Sequence, residues 1–120
     1  MSKRTLVLGA STNTERYSNK AIQLLRSFKH DVIAVGNNAG TVADVHIQTT
    51  FPENEPINTL TLYINPSIQK NYYSSILKLH PSRIIFNPGT ENPELKRLAE
   101  ESGIATEEAC TLVLLNTGQY

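Results

Sequence analysis

The chain predicts a three-layer α/β sandwich, a mainly parallel sheet of five or six strands with helices on both faces. Strand-length apolar runs alternate with helix-period segments, as in successive βα units. The first run, Thr5-Leu6-Val7-Leu8, has no in–out alternation, as expected of a strand covered by helices on both sides. Small-residue turns such as Gly9-Ala10-Ser11 close these runs where ligands of open α/β sheets bind.

After the first strand, Ser18 can cap a helix whose Ala21, Leu24, Leu25 and Phe28 share one face. Asp31 to Val35 forms the second strand, closed by Gly36-Asn37-Asn38. The stretch from Ala39 to Glu55 is less regular, with one short strand at Val45-His46-Ile47. Thr59 to Ile64 is the next major strand. Asn65-Pro66 then supplies a capping side chain followed by proline at the first helical position. The following helix presents Ile68, Tyr72, Ile76 and Leu79 on one side and ends before Pro81. Arg83 to Phe86 is a strand closed by Asn87-Pro88-Gly89-Thr90, and Asn92-Pro93 opens a helix that Gly103 stops. A short strand at Ile104-Ala105-Thr106 and an apolar segment, Leu112 to Leu115, complete the order.

With 120 residues, the expectation is one domain over residues 1–120, because two separate cores would be too small. Eleven basic and eleven acidic residues give a formal net charge of zero, with no basic stripe for nucleic acid and no cationic amphipathic helix for a membrane. The single cysteine, Cys110, excludes an internal disulfide framework and fits a reducing compartment. Met1-Ser2-Lys3-Arg4 precedes only a strand-length apolar stretch, too short for a signal-peptide core. The protein is expected in the cytoplasm.

Right-handed crossovers and the usual neighbour rules place the first strand near the centre, the second to one side and the Thr59–Ile64 strand to the other. That reversal opens a crevice at the strand ends. Gly9-Ala10-Ser11 and Asn65-Pro66 should border it, flanked by Gly36-Asn37 and Asn87-Pro88-Gly89. A strand, a tight turn and a helix start aim unpaired amides and the helix dipole at one point, which suits a phosphate. Ser11, Thr12, Asn13 and Ser18 could add side-chain contacts, and Arg16 is the nearby cation with bidentate reach. Ser18 as a plain helix cap and Arg16 as a solvated loop residue stay open. Tyr17 could cover a ligand or simply anchor the loop.

The turn has neither G-x-G-x-x-G nor a Walker lysine. The second strand ends in Gly36, Asn37 and Asn38 with no carboxylate for an NAD ribose, which argues against a dehydrogenase. The asparagines could touch a ribose or adenine edge, or make an Asx-type turn. His30, His46 and His80 have no nucleophile beside them in sequence and no metal-ligand spacing. Glu107 and Glu108 oppose thiolate formation at Cys110, and Glu91 is the carboxylate expected nearest the crevice.

Gly9-Ala10-Ser11-Thr12-Asn13-x-Glu15-Arg16-Tyr17-Ser18-Asn19, Asn87-Pro88-Gly89-Thr90-Glu91-Asn92 and Glu107-x-Ala109-Cys110-Thr111-Leu112 together resemble the stand-alone CoA-binding domain proteins. These are Rossmann-like and similar to the CoA-binding domain of succinyl-CoA synthetase alpha subunits, and the resemblance runs from about Thr5 to Leu115. It implies non-catalytic binding of CoA or a related adenine nucleotide, in a carrier, sensor or regulatory role. The first turn would take the phosphates and the turn after the second strand would face the adenosine. The family's proline near the fourteenth residue is Thr14 here, and its Val-Asn-Pro-like strand end is Val35-Gly36-Asn37. Arg16 and Lys20 are the cations nearest the extra ribose phosphate of CoA.

Two alternatives stay open. One is an enzyme using NAD(P) or a CoA thioester, with Glu91 or Cys110 taking part. The other is an interaction module with a vestigial nucleotide crevice, dimerising through Leu112 to Leu115. A homodimer is compatible with every one of these readings.

Overall fold

A computed structural model describes residues 2–120; Met1 lies outside the described residues. Seven strands form one sheet: β1 (Thr5–Leu8), β2 (Val32–Val35), β3 (Gly40–Val42), β4 (Val45–Gln48), β5 (Thr59–Leu62), β6 (Arg83–Phe86) and β7 (Ala105–Glu108). Their spatial order is β3-β4-β2-β1-β5-β6-β7, parallel except where β3 runs antiparallel to β4. The expected class therefore holds, with seven strands in place of five or six. The added strand is β3, which starts on Gly40 and joins β4 through Ala43-Asp44, a turn without the usual Asn-Gly or Asp-Gly signal.

β1 pairs with β2 from Thr5↔Val32 to Leu8↔Val35, and with β5 from Thr5↔Thr59 to Leu8↔Leu62. The winding reverses at β1 as expected, so the ends of β1, β2 and β5 open together.

Alternation along the strands divides the core between two faces. Leu6, Leu8, Leu60, Leu62, Ile84 and Phe86 pack with Ile76 of α3 (Tyr73–Leu79) and Leu95 and Ala99 of α4 (Pro93–Glu101). Val7, Ala34 and Ile47 pack with Ile22 and Leu25 of α1 (Tyr17–Ser27) and Leu115 of α5 (Thr111–Asn116). In α1 the buried stripe is Ser18, Ala21, Ile22 and Leu25, while Phe28 is 51 % exposed. The buried face is therefore rotated from the expected one, with Ile22 taking the place of Leu24 and Phe28. The Leu112–Leu115 run folds as α5, which buries Leu114 and Leu115 and leaves Val113 exposed.

Asn65 caps α2 (Pro66–Gln69) by accepting from the Ile68 amide at 3.0 Å, as the Asn-Pro pair predicts. The expected single helix is broken there: a 3₁₀ turn at Lys70–Tyr72 separates α2 from α3. Asn92 caps α4 through the amides of Glu94 and Leu95. Among the described residues, no helix is long and apolar enough to cross a membrane.

Candidate functional site

Gly9 turns the chain out of β1 at φ +102°, and a Cβ there would lie 2.9 Å from the Tyr63 carbonyl group. Only glycine meets both conditions. The amides of Gly9 and Ala10 both donate to the Val35 carbonyl at 2.9 Å, so neither is free for a ligand. The amides of Ser11 and Thr12 find no acceptor in the protein among the described residues.

Side chains behind the turn hold that geometry. Asn19, almost fully buried, donates from Nδ2 to the Ser11 carbonyl at 2.9 Å and accepts from Gln23. Ser11 Oγ accepts from the Asn13 amide, and Asn13 Oδ1 accepts from the Glu15 amide at 2.9 Å. Asn13 is thus engaged within the turn. Gly40 of the β3 hairpin abuts Thr12 so closely that a Cβ there would lie 2.4 Å from Thr12 Cγ2. The hairpin that the sequence conceals therefore braces the turn.

The start of α1 is open. Its N-cap is Arg16, whose side chain makes no capping bond, and its first turn carries no acidic residue. The Tyr17 and Ser18 amides thus keep their partial positive charge, while the Asn19 amide already donates to the Arg16 carbonyl at 3.1 Å. Ser18 is not the cap; it sits inside the helix with 3 % exposure.

A cavity of about 610 Å³ opens at these strand ends, within the usual range for small-molecule sites. Its walls are the first turn from Gly9 to Thr12 with Arg16, the β2 end from Val35 to Asn38, and the β5 end from Tyr63 to Asn65 with Ile68 and Tyr72. Arg16 is the one charged side chain among these lining residues, and no carboxylate lines the space. A shallower hollow of about 330 Å³ near the opposite strand ends holds Arg4, Arg26 and Asp44. Its arginines are already paired with Glu55 and Asp44.

The structure brings Gly9, Ala10, Ser11, Thr12, Arg16, Gly36, Asn37 and Asn65 to one cavity wall. Asn13, Tyr17, Ser18, Pro66, Asn87, Pro88 and Gly89 do not line it. Tyr17 is 68 % exposed, with the Lys20 ammonium 5.6 Å from its ring centre. The Asn87 turn lies behind the site as a brace. Asn87 Nδ2 donates to Thr61 Oγ1 at 2.7 Å and to the Leu62 carbonyl at 2.9 Å, while Oδ1 accepts from the Thr111 amide. Glu91 accepts from the Gly89 amide at 2.8 Å. Fully buried Gln69 donates to the carbonyls of Ile64 and Thr90, both at 2.8 Å, and accepts from Asn92 at 2.9 Å.

The sequence reading missed Asn19 and Gln69 as positioning residues, and Tyr63, Ile64, Ile68 and Tyr72 as cavity walls. An amide inside the first glycine-serine motif was the only local signal for Asn19, and none marked Gln69. Burial pushes the Tyr63 phenol up to about 12. It stays neutral at physiological pH. His30 accepts from the Lys3 amide at 2.9 Å, and burial first, then Lys3, holds its pKa below the ordinary value. His46 is exposed, and His80 ends α3, its ring against the Ser102 carbonyl. Neither these histidines nor half-buried Cys110 lines the cavity. Among the described residues no group of metal-ligating side chains is present.

A family model described as a CoA binding domain matches residues 3–116. A crystal structure of a protein described only as uncharacterized is 45 % identical, with a TM-score of 0.96, covering 100 % of this chain and 99 % of that one. A Thermus thermophilus protein, cell-free ID.343, is 21 % identical with a TM-score of 0.87, covering 99 % of this chain and 91 % of its own. A hypothetical protein from Pyrococcus horikoshii OT3 is 21 % identical with a TM-score of 0.86, covering 97 % and 83 %. These last two likenesses show a shared fold. No protein of curated function matches the chain.

Proposed function

Because the chain belongs to the CoA-binding domain family, we propose that it binds CoA or a related adenine nucleotide in the cavity at the ends of β1, β2 and β5. The diphosphate would meet the Ser11 and Thr12 amides and Arg16, the N-cap of α1. Gly36, Asn37 and Asn65 would border the rest of the ligand. The observation that carries this reading is the pair of unengaged amides at Ser11 and Thr12, two residues lining a cavity that holds an arginine and no carboxylate. A phosphate there gains charge-assisted hydrogen bonds and loses nothing to a competing acid.

The role is binding rather than turnover, as carrier, sensor or regulatory domain, with residues 1–120 acting as one unit in the cytoplasm. General acid–base or covalent catalysis needs a titratable group beside the ligand. No His, Cys, Asp or Glu lines the cavity, and its tyrosines are Tyr63, with a raised pKa, and Tyr72.

Calorimetric titration with CoA, acetyl-CoA, NAD and ADP tests the proposal. Saturable heat with CoA or ADP is the expected result, and silence from both at millimolar ligand overturns it.

A further inference from the structure

The walls of the cavity are unequal in charge, and this asymmetry bears on which nucleotide fits. At the phosphate end stand Arg16 and the Ser11 and Thr12 amides. At the β2 end stand Gly36, Asn37 and Asn38, all neutral. A nucleotide in an open α/β crevice, with its diphosphate at the first helix start, lays its ribose over the end of the second strand. The ribose therefore falls between asparagine amides, which donate to and accept from hydroxyls but bring no charge.

The remaining basic residues are placed elsewhere. Arg4 and Arg26 are bound to Glu55 and Asp44 near the opposite strand ends. Arg83 holds Thr59 and Glu107, and Arg97 pairs with Glu101. Lys3 sits over Tyr120, and Lys20, one of the two cations expected near a ribose phosphate, lies over Tyr17. Lys78 and Lys96 line separate outer hollows. Lys29 follows the end of α1, and Lys70 opens the 3₁₀ turn; neither lines the cavity.

We propose that the site takes a nucleoside 5′-diphosphate derivative without recognising the ribose 3′-phosphate that distinguishes CoA. This deepens, and rests on, the nucleotide-binding reading above. A ribose 3′-phosphate carries between one and two negative charges near neutral pH. With Arg16 at the diphosphate, that charge would be desolvated beside neutral amides and other phosphates. A matched cation would instead contribute a charge-assisted contact, about a tenfold to hundredfold effect on affinity.

The test compares CoA, 3′-dephospho-CoA, ADP and adenosine 3′,5′-bisphosphate by calorimetry at fixed salt. The expected result is a dephospho-CoA affinity equal to that of CoA within about threefold, or tighter. CoA binding tenfold or more tightly than dephospho-CoA overturns the selectivity while leaving the nucleotide reading intact. Silence from all the ligands removes the nucleotide reading and the selectivity with it. Asn38→Lys places a cation at the ribose end and should raise the CoA to dephospho-CoA affinity ratio about tenfold. A ratio unmoved by N38K, in a folded variant that still binds ADP, overturns the placement of the ribose.

Discussion

Replacing Gly36 by alanine adds one methyl group where β2 passes the first turn. Gly36 lies outside the left-handed region, so alanine's backbone preferences are not offended, and the cost is steric. The new Cβ would lie 2.3 Å from the Ala10 carbonyl oxygen and 3.2 Å from Ile47 Cγ2. Ordinary contact begins near 3.4 Å, so the Ala10 carbonyl must move by roughly 1 Å. The β2 side cannot yield freely, because the Gly36 amide is bonded to the Gln48 carbonyl at 3.0 Å. The displacement therefore passes into Ala10-Ser11-Thr12. Overpacking of this kind costs about 1–3 kcal/mol, a Tm loss of roughly 5–15 °C. If a nucleotide diphosphate uses the Ser11 and Thr12 amides, one lost charge-assisted bond weakens binding by a further 10- to 100-fold or so. Calorimetric scanning and ligand titration well below Tm measure the two effects separately. A variant with lowered Tm whose nucleotide Kd stays within about twofold of the wild type would refute the assignment of the turn to the ligand. An unchanged Tm would refute the close approach itself.

Other residues separate binding from support. Arg16→Gln should raise the nucleotide Kd about tenfold, flatten its salt dependence and leave Tm nearly unchanged, since the side chain is exposed at the cavity rim. Asn87→Ala orphans the Thr111 amide and removes two donor bonds to β5. It should cost about 1–3 kcal/mol in urea unfolding, and the folded fraction should bind nucleotide nearly as before. Tyr63 makes a prediction about pH. The unfolded phenol releases its proton near 10.0 and the folded one near 12, so the unfolded chain binds fewer protons between those values. Stability from this group is complete below about pH 10 and is lost as pH rises toward 12. Urea midpoints across that window should fall less steeply in Tyr63→Phe; parallel curves would contradict the burial argument.

Features carried by local chemistry were legible in the sequence. The Asn65-Pro66 and Asn92-Pro93 caps act within one turn of chain, and the apolar run of β1 declares burial on both faces without reference to any partner. The order of β2, β1 and β5 followed from crossover handedness and the tendency of consecutive strands to lie side by side. β3 was hidden because Gly40-Thr41-Val42 is short and its turn residues are atypical. Ser18 looked like a cap because serine favours that position, yet the helix starts one residue earlier and turns Ser18 inward. The Asn87-Pro88-Gly89 turn shows why amide-rich turns are ambiguous. An asparagine suits a ligand and a buried bracket equally, and here the partners Thr61, Leu62 and Thr111 lie more than twenty residues away. Gln69 gave no signal, since its role exists only once the carbonyls of Ile64 and Thr90 are brought together.

Amide chemical-shift mapping during titration with CoA, and separately with 3′-dephospho-CoA, tests the central claim most directly. The account predicts saturable shifts largest at the amides of Ser11, Thr12 and Arg16, with smaller ones at Asn37 and Asn38. Shifts that leave Ser11 and Thr12 unmoved while another surface responds would contradict it.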